Sequence, residues 1–183
     1  MTAWNQRRHS SQAALHLATA LLESGDMNVR HLEERDYDPI IAVLDDWFGG
    51  RPLAKLLPRI FFIHFRPTSF AIEEDGKVIA FLAGFISQTY ADEAYIHFVA
   101  VHPDYRGRGL GRRLYSTFFD TVGRLGCTVI RCITSPVNTG SIGFHTRMGF
   151  QIEHVTGEHQ GVPGTVNYEL NGQRRVLFVK RLS

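Results

Sequence analysis

Residues 95–111 constrain this chain more than any other segment. Tyr95-Ile96-His97-Phe98-Val99-Ala100-Val101 is rich in β-branched and aromatic residues and reads as a strand. His102-Pro103-Asp104 closes it. Arg106-Gly107-Arg108-Gly109-Leu110-Gly111 then turns the chain into a stretch with Leu110, Leu114, Phe118 and Val122 at four-residue spacing, the stripe of an amphipathic helix. A glycine-rich turn between a strand and a helix start gathers unpaired main-chain N–H groups at the positive end of the helix dipole. That is a seat for a phosphate or pyrophosphate. Arg106, Arg108, Arg112 and Arg113 add attraction for an anion.

Spacing narrows the choice of ligand. A dinucleotide fold requires G-x-G-x-x-G and an acidic residue about 20 positions later. Here the glycines fall at 107, 109 and 111, and Asp120 comes too early. A nucleoside-triphosphate loop requires a lysine after its last glycine, and none follows. Val101, Pro103, Arg106, Gly109 and Gly111 instead match V-x-P followed by R-x-x-G-x-G, which resembles the acetyl-coenzyme A loop of the GNAT superfamily of N-acetyltransferases. The segment from Asn138 to Phe150 resembles a second motif of that family, N-x-x-[AS]-x-x-F-Y-x-x-x-G-F, with His145 where tyrosine is usual. The order and separation of the two motifs are also those of the family. The resemblance covers roughly residues 28–181 and is strongest over 93–152.

Fold and ligands follow from the resemblance as expectations. It implies an α/β domain over residues 27–183, with a mixed, mostly antiparallel sheet of six or seven strands and helices on both faces. Residues 1–26 read as an N-terminal extension, expected to be helical rather than a targeting peptide. The resemblance implies acetyl-CoA as acyl donor, bound by Val99, Ala100 and Val101 of the strand, by Arg106, Gly107, Arg108, Gly109, Leu110, Gly111 and Arg112 of the turn, and by Asn138 and Ser141. The last two read equally as helix-capping residues.

Composition removes several other classes. With 183 residues, 44% of them hydrophobic, the chain suits one domain with a sizeable core. Twenty basic residues against eighteen acidic ones leave no broad positive face for nucleic acid. The longest apolar run, Val78–Ile86, is too short to span a membrane. Cys127 and Cys132 form no metal-binding or disulfide pattern and read as reduced thiols of a cytoplasmic protein, on opposite faces of one strand. No metal is expected, since nine histidines show no ligand spacing and His97 and His102 should point to opposite faces.

The remaining elements alternate. Strands are expected at 29–33, 69–73, 77–88, 93–101, 128–134, 150–156, 165–170 and 174–181, with a turn at Asn171-Gly172. Helices are expected at 36–47, at 53–65 with a kink or restart at Pro58, at 109–122 and at 139–148.

Acyl transfer to an amine sets three chemical demands. A lysine-like amine must lose a proton, which costs about 4–5 kcal/mol at pH 7. The departing thiolate benefits from an acid. The carbonyl oxygen gains charge and needs a fixed N–H donor. His97 shares a strand face with Tyr95 and is the catalytic candidate for base, with Glu93 acting through water as the alternative. His145 is the candidate acid, helped by a helix C-terminus that favours imidazolium, and Tyr115 is a substitute if geometry permits. Amides at Val99, Ala100 or Val101 are candidates for the carbonyl donor. The expected activity is direct acetyl transfer to a primary amine of a small molecule or peptide, in a monomer or homodimer. The competing reading is an acyl-CoA-binding regulatory module with little or no catalysis, and a nucleotide-binding enzyme is disfavoured by the glycine spacing.

Overall fold

A seven-stranded sheet organises the described residues, its strands lying in the order Val29–His31, Phe70–Glu74, Lys77–Ile86, Glu93–Val101, Val129–Thr134, Val176–Arg181 and Gln151–Ile152. The structure is a computed structural model and describes residues 27–153, 157–159, 162–164 and 173–182. The expected N-terminal helix, the strand at 165–170 and the Asn171-Gly172 turn lie outside the described residues. The strands are β1 (Val29–His31), β2 (Phe70–Glu74), β3 (Lys77–Ile86), β4 (Glu93–Val101), β5 (Val129–Thr134), β6 (Gln151–Ile152) and β9 (Val176–Arg181). A separate hairpin pairs β7 (Gly157–His159) with β8 (Val162–Gly164). All pairs in the main sheet are antiparallel except β4 with β5. The sheet is therefore mixed and mostly antiparallel, as expected.

Among the described residues, four α-helices flank it: α1 (Tyr37–Trp47), α2 (Ile60–Ile63), α3 (Leu110–Arg124) and α4 (Thr139–Arg147). On one face, Leu114, Tyr115, Phe118 and Val122 of α3 pack with Ile72, Leu82, Ile96, Ile130 and Phe178. On the other face, Ile40, Leu44 and Trp47 of α1 and Phe61 and Phe62 of α2 pack with Ala71, Phe81, Ala83 and Ala100. Each large apolar side chain buried in this way contributes about 1.5–3 kcal/mol. Strand β3 supplies both faces, which explains its nearly unbroken run of apolar residues.

The 53–65 stretch is less helical than its pattern implies. A 3-10 turn at Ala54–Leu56 ends at Leu57, which takes φ −116° and ψ 82° before Pro58, and the short helix α2 restarts beyond. A residue before proline is pushed out of the helical region, and here that breaks the segment.

A bulge interrupts the β3–β4 ladder. Ala83 pairs with Phe98 and Gly84 with Ile96, so His97 is the extra residue. Thr68 and Ser69 brace it: Thr68 Oγ1 donates to the Gly84 carbonyl at 2.7 Å, and Gly84 N–H donates to Ser69 Oγ at 3.2 Å. The extra residue shifts the in–out alternation by one. His97 stacks on Phe61 and His102 meets Trp47 edge-on, so both imidazoles lie on the α1/α2 face and the expectation of opposite faces is corrected. The cysteine expectation is corrected too. Cys127 precedes β5, and both thiols pack into the α3-side core.

Candidate functional site

The turn before α3 has the backbone that a phosphate requires. Gly107 and Gly109 take φ values of 78° and 80°, a left-handed conformation that side chains disfavour. The first N–H of the turn to find a carbonyl is that of Arg113, to Gly109 at 3.0 Å. Among the described residues no main-chain partner takes the N–H groups of residues 107–112. They converge at the start of a fifteen-residue helix whose dipole favours an anion there. The arginines divide their tasks. Arg106 donates to the Val101 carbonyl (Nε, 3.2 Å) and to the Trp47 carbonyl, tying the turn to the end of α1. Arg108 lies over the Tyr105 ring at 4.8 Å, and Arg112 is exposed. Arg106 is therefore a brace, while Arg108, Arg112 and Arg113 are exposed near the seat.

Beside this seat the sheet opens. The parallel β4–β5 register runs from Glu93 with Val129 to Ile96 with Cys132 and goes no further, although β4 continues to Val101. His102 N–H donates to the Ile79 carbonyl at 2.8 Å, towards β3. Alternate residues point the same way, so Ala100 N–H also faces β3 while Val99 and Val101 direct theirs to the side that β5 has left. The gap can take an extended chain carrying carbonyl and amide groups, continuous with the anion seat at the end of β4.

His97 sits where the two strands part. Its Nε2 lies 2.7 Å from the Leu56 carbonyl, so Nε2 carries a hydrogen and donates it. The ring stacks on Phe61 at 4.3 Å with an interplanar angle of 8°. Phe85 stacks on Tyr95 and also meets Phe61 and Phe65, which continues the aromatic wall along the same face. Glu93 is at the far end of β4, held by Arg131 through bonds of 2.8 and 3.0 Å, and Arg131 also pairs with Glu153. A carboxylate fixed in this way is poorly placed to shuttle protons.

The α4 candidates form one chain of contacts. Asn138 Oδ1 accepts the Ser141 N–H at 3.2 Å and caps the helix. His145 Nδ1 donates to the Ser141 carbonyl at 2.8 Å, with Ser141 Oγ at 3.2 Å. His145 Nε2 lies 2.8 Å from the Tyr115 hydroxyl. Tyr115 is 0% and His145 4% exposed. Burial pushes the imidazole pKa down, only partly opposed by the Ser141 carbonyl, and it pushes the Tyr115 phenol well up. The helix C-terminus favours imidazolium, and burial works against it.

Sequence reasoning did not identify Thr68, Ser69, Gly84 or the Tyr115–His145 bond. Gly84 inside an apolar strand was the available signal for a bulge. Among the described residues, no group of three or more His, Cys, Asp or Glu is placed to hold a metal ion, and no helix is long and apolar enough to cross a membrane.

A mixed sheet parts beside a glycine-rich helix start in an α/β fold. The model of the acetyltransferase (GNAT) family matches residues 28–150, and the chain belongs to that family. It is 35% identical over 78 residues to L-2,4-diaminobutyric acid acetyltransferase of Nocardia farcinica, covering 43% of this chain and 40% of that protein. It is 32% identical over 85 residues to the ribosomal protein bS18-alanine N-acetyltransferase of Escherichia coli, covering 46% and 55% respectively. The matches thus span about half or less of these relatives' own lengths. Solved structures share the fold. Ard1 from Thermoplasma volcanium superposes with a TM-score of 0.68 at 17% identity over 85% of this chain and 97% of that one. Diaminobutyrate acetyltransferase EctA from Paenibacillus lautus, solved with its substrate and coenzyme A, gives 0.60 at 18% identity over 83% and 92%.

Proposed function

We propose that this protein is an acetyl-CoA-dependent N-acetyltransferase that transfers the acetyl group directly to a primary amine of a small molecule or peptide. The observation that carries this reading is the continuity of the unpaired N–H groups at 107–112 with the open edge of β4. The turn amides hold the diphosphate, Arg108 and Arg112 add positive charge, and the Val99 and Val101 amides face the pantetheine arm and the thioester carbonyl. The bound thioester supplies an activated acetyl group: a C–N bond forms, the C–S bond breaks, and a proton leaves nitrogen and finishes on sulfur. His97 takes the amine proton. Asn138 and Ser141 shape the α4 end of the site.

The test is isothermal calorimetry with acetyl-CoA, followed by thiol release across a panel of small amines and peptides. Micromolar uptake and turnover of at least one amine support the reading, and no uptake by folded protein refutes it. A non-catalytic acyl-CoA-binding module is the second reading, favoured by the burial of His145 at the usual tyrosine position. Uptake without turnover of any amine would select it. The buried free thiols agree with a reducing, cytoplasmic setting. Residues 27–183 are proposed as the catalytic domain, with 1–26 as an extension to it.

A further inference from the structure

We propose that Tyr115 and His145 form a positioning latch that locks the anion-seat helix α3 to α4, and that His145 passes no proton to the leaving thiolate. The proposal rests on the acetyl-coenzyme A reading above and assigns these two residues a task within the same site.

Hydrogen bookkeeping carries the argument. The Ser141 carbonyl can only accept, so the hydrogen at 2.8 Å belongs to His145 Nδ1. In the neutral ring Nε2 is then an acceptor, and the Tyr115 hydroxyl donates to it at 2.8 Å. Both nitrogens are used, and the only hydrogen His145 carries points back into its own helix. An imidazolium would donate from both nitrogens and take the Tyr115 hydroxyl hydrogen out of this bond, while Phe119, Phe144 and Phe150 pack against the Tyr115 ring at 5.8, 5.0 and 6.2 Å. His145 also stacks on Phe178 of β9 at 4.9 Å, so the ring is clamped on a further side. Among the described residues, no Asp, Glu, Lys or Arg side chain bonds to either member of the pair.

The location supplies the function. Gly111, in the first turn of α3, packs against Phe144 so closely that a Cβ there would lie 3.4 Å from the ring. Tyr115, one turn further on, bonds to the residue after Phe144. Two contacts a turn apart fix both the distance and the rotation of α4 relative to the helix start that presents the N–H groups of 107–112. Releasing the second contact lets that start tilt, and an anion held by several convergent donors is sensitive to their alignment.

The experiment uses the full chain with Tyr115→Phe, His145→Gln and His145→Ala, each checked for native near-UV circular dichroism. Coenzyme A affinity is measured by calorimetry, and kcat/KM for acetyl-CoA is measured across about pH 5.5–9.5, one unit either side of the imidazole and thiol pKa values. The latch predicts that Y115F and H145A weaken coenzyme A at least fivefold, raise KM more than they change kcat, and keep the limbs of the pH profile. It predicts that H145Q, whose amide oxygen can accept the Tyr115 proton, recovers most of the loss. H145Q as poor as H145A, with one limb of the profile gone, would overturn the latch in favour of a proton donor. Wild-type affinity in Y115F would overturn it as well. Wild-type protein that takes up no coenzyme A would remove the acetyltransferase reading and this proposal with it, a result separable from a defect confined to the variants.

Discussion

Gly84→Ala is the sharpest single test of how the site is built. A Cβ at Gly84 would lie 2.5 Å from Phe118 Cε2 and 2.9 Å from the Tyr95 carbonyl oxygen. Neither neighbour can yield cheaply. Phe118 is fully buried in the α3-side core, and the Tyr95 carbonyl belongs to the sheet. Forcing an extra methyl into such a site costs about 1–3 kcal/mol, and the double clash puts this case at the upper end. For a chain of this size, about 3 kcal/mol lowers the melting temperature by about 6–12 °C. The control is Gly107→Ala, where φ is 78° and nothing lies within 4 Å, so only the left-handed backbone is penalised, by about 1–2 kcal/mol. Adding Phe118→Leu to Gly84→Ala should recover part of the loss, because one of the two clashes disappears. Thermal unfolding followed by circular dichroism measures all four proteins. A Gly84→Ala melting temperature within about 2 °C of wild type, equivalent to under about 1 kcal/mol, would show that the bulge does not depend on the missing side chain.

Four further outcomes are expected. Gly109→Ala, at φ 80° with open space around it, should weaken coenzyme A binding at least tenfold in calorimetry while the protein stays folded. His97→Ala should lower turnover of the best amine at least tenfold with less change in acetyl-CoA KM, and an unchanged rate would remove His97 from the proton path. Burial alone would raise the Asp36 carboxyl, yet the Arg30 guanidinium at 2.7 and 2.8 Å and the Glu33 N–H hold it below the ordinary range. Its stabilisation is therefore full above about pH 4 and is lost as pH falls through the folded value. Asp36→Asn should cost about 1.5–3 kcal/mol at pH 7 and flatten that acid limb in urea titrations. Burial raises the Cys132 thiol well above its usual pKa, so a disulfide reagent at pH 8 should leave it unmodified until urea unfolds the chain.

Much of the architecture is legible in residue order because it depends on local chemistry. The strand at 93–101 and the helix starting at Leu110 stand where period, proline and glycine place them. Asp75 and Gly76, both at positive φ, make the tight β2–β3 turn that an Asp-Gly pair favours. Gly149, at φ 85°, ends α4 with Phe150 N–H bonded to the His145 carbonyl, as a glycine after a helix does. The anion seat belongs to the same class, since a glycine-rich turn and a helix start lie within a few residues of each other.

What residue order alone determined is where the chain turns, where it coils, and where main-chain donors gather before α3. Tertiary structure decided which side chains could use them. One added residue at His97 moved two imidazoles to a shared face, because alternation along a strand survives only while each residue has a partner. Packing against Tyr115 and Phe178 buries His145 and that burial lowers its pKa, because the energy of a charge is set by the groups around it and not by its place in a motif.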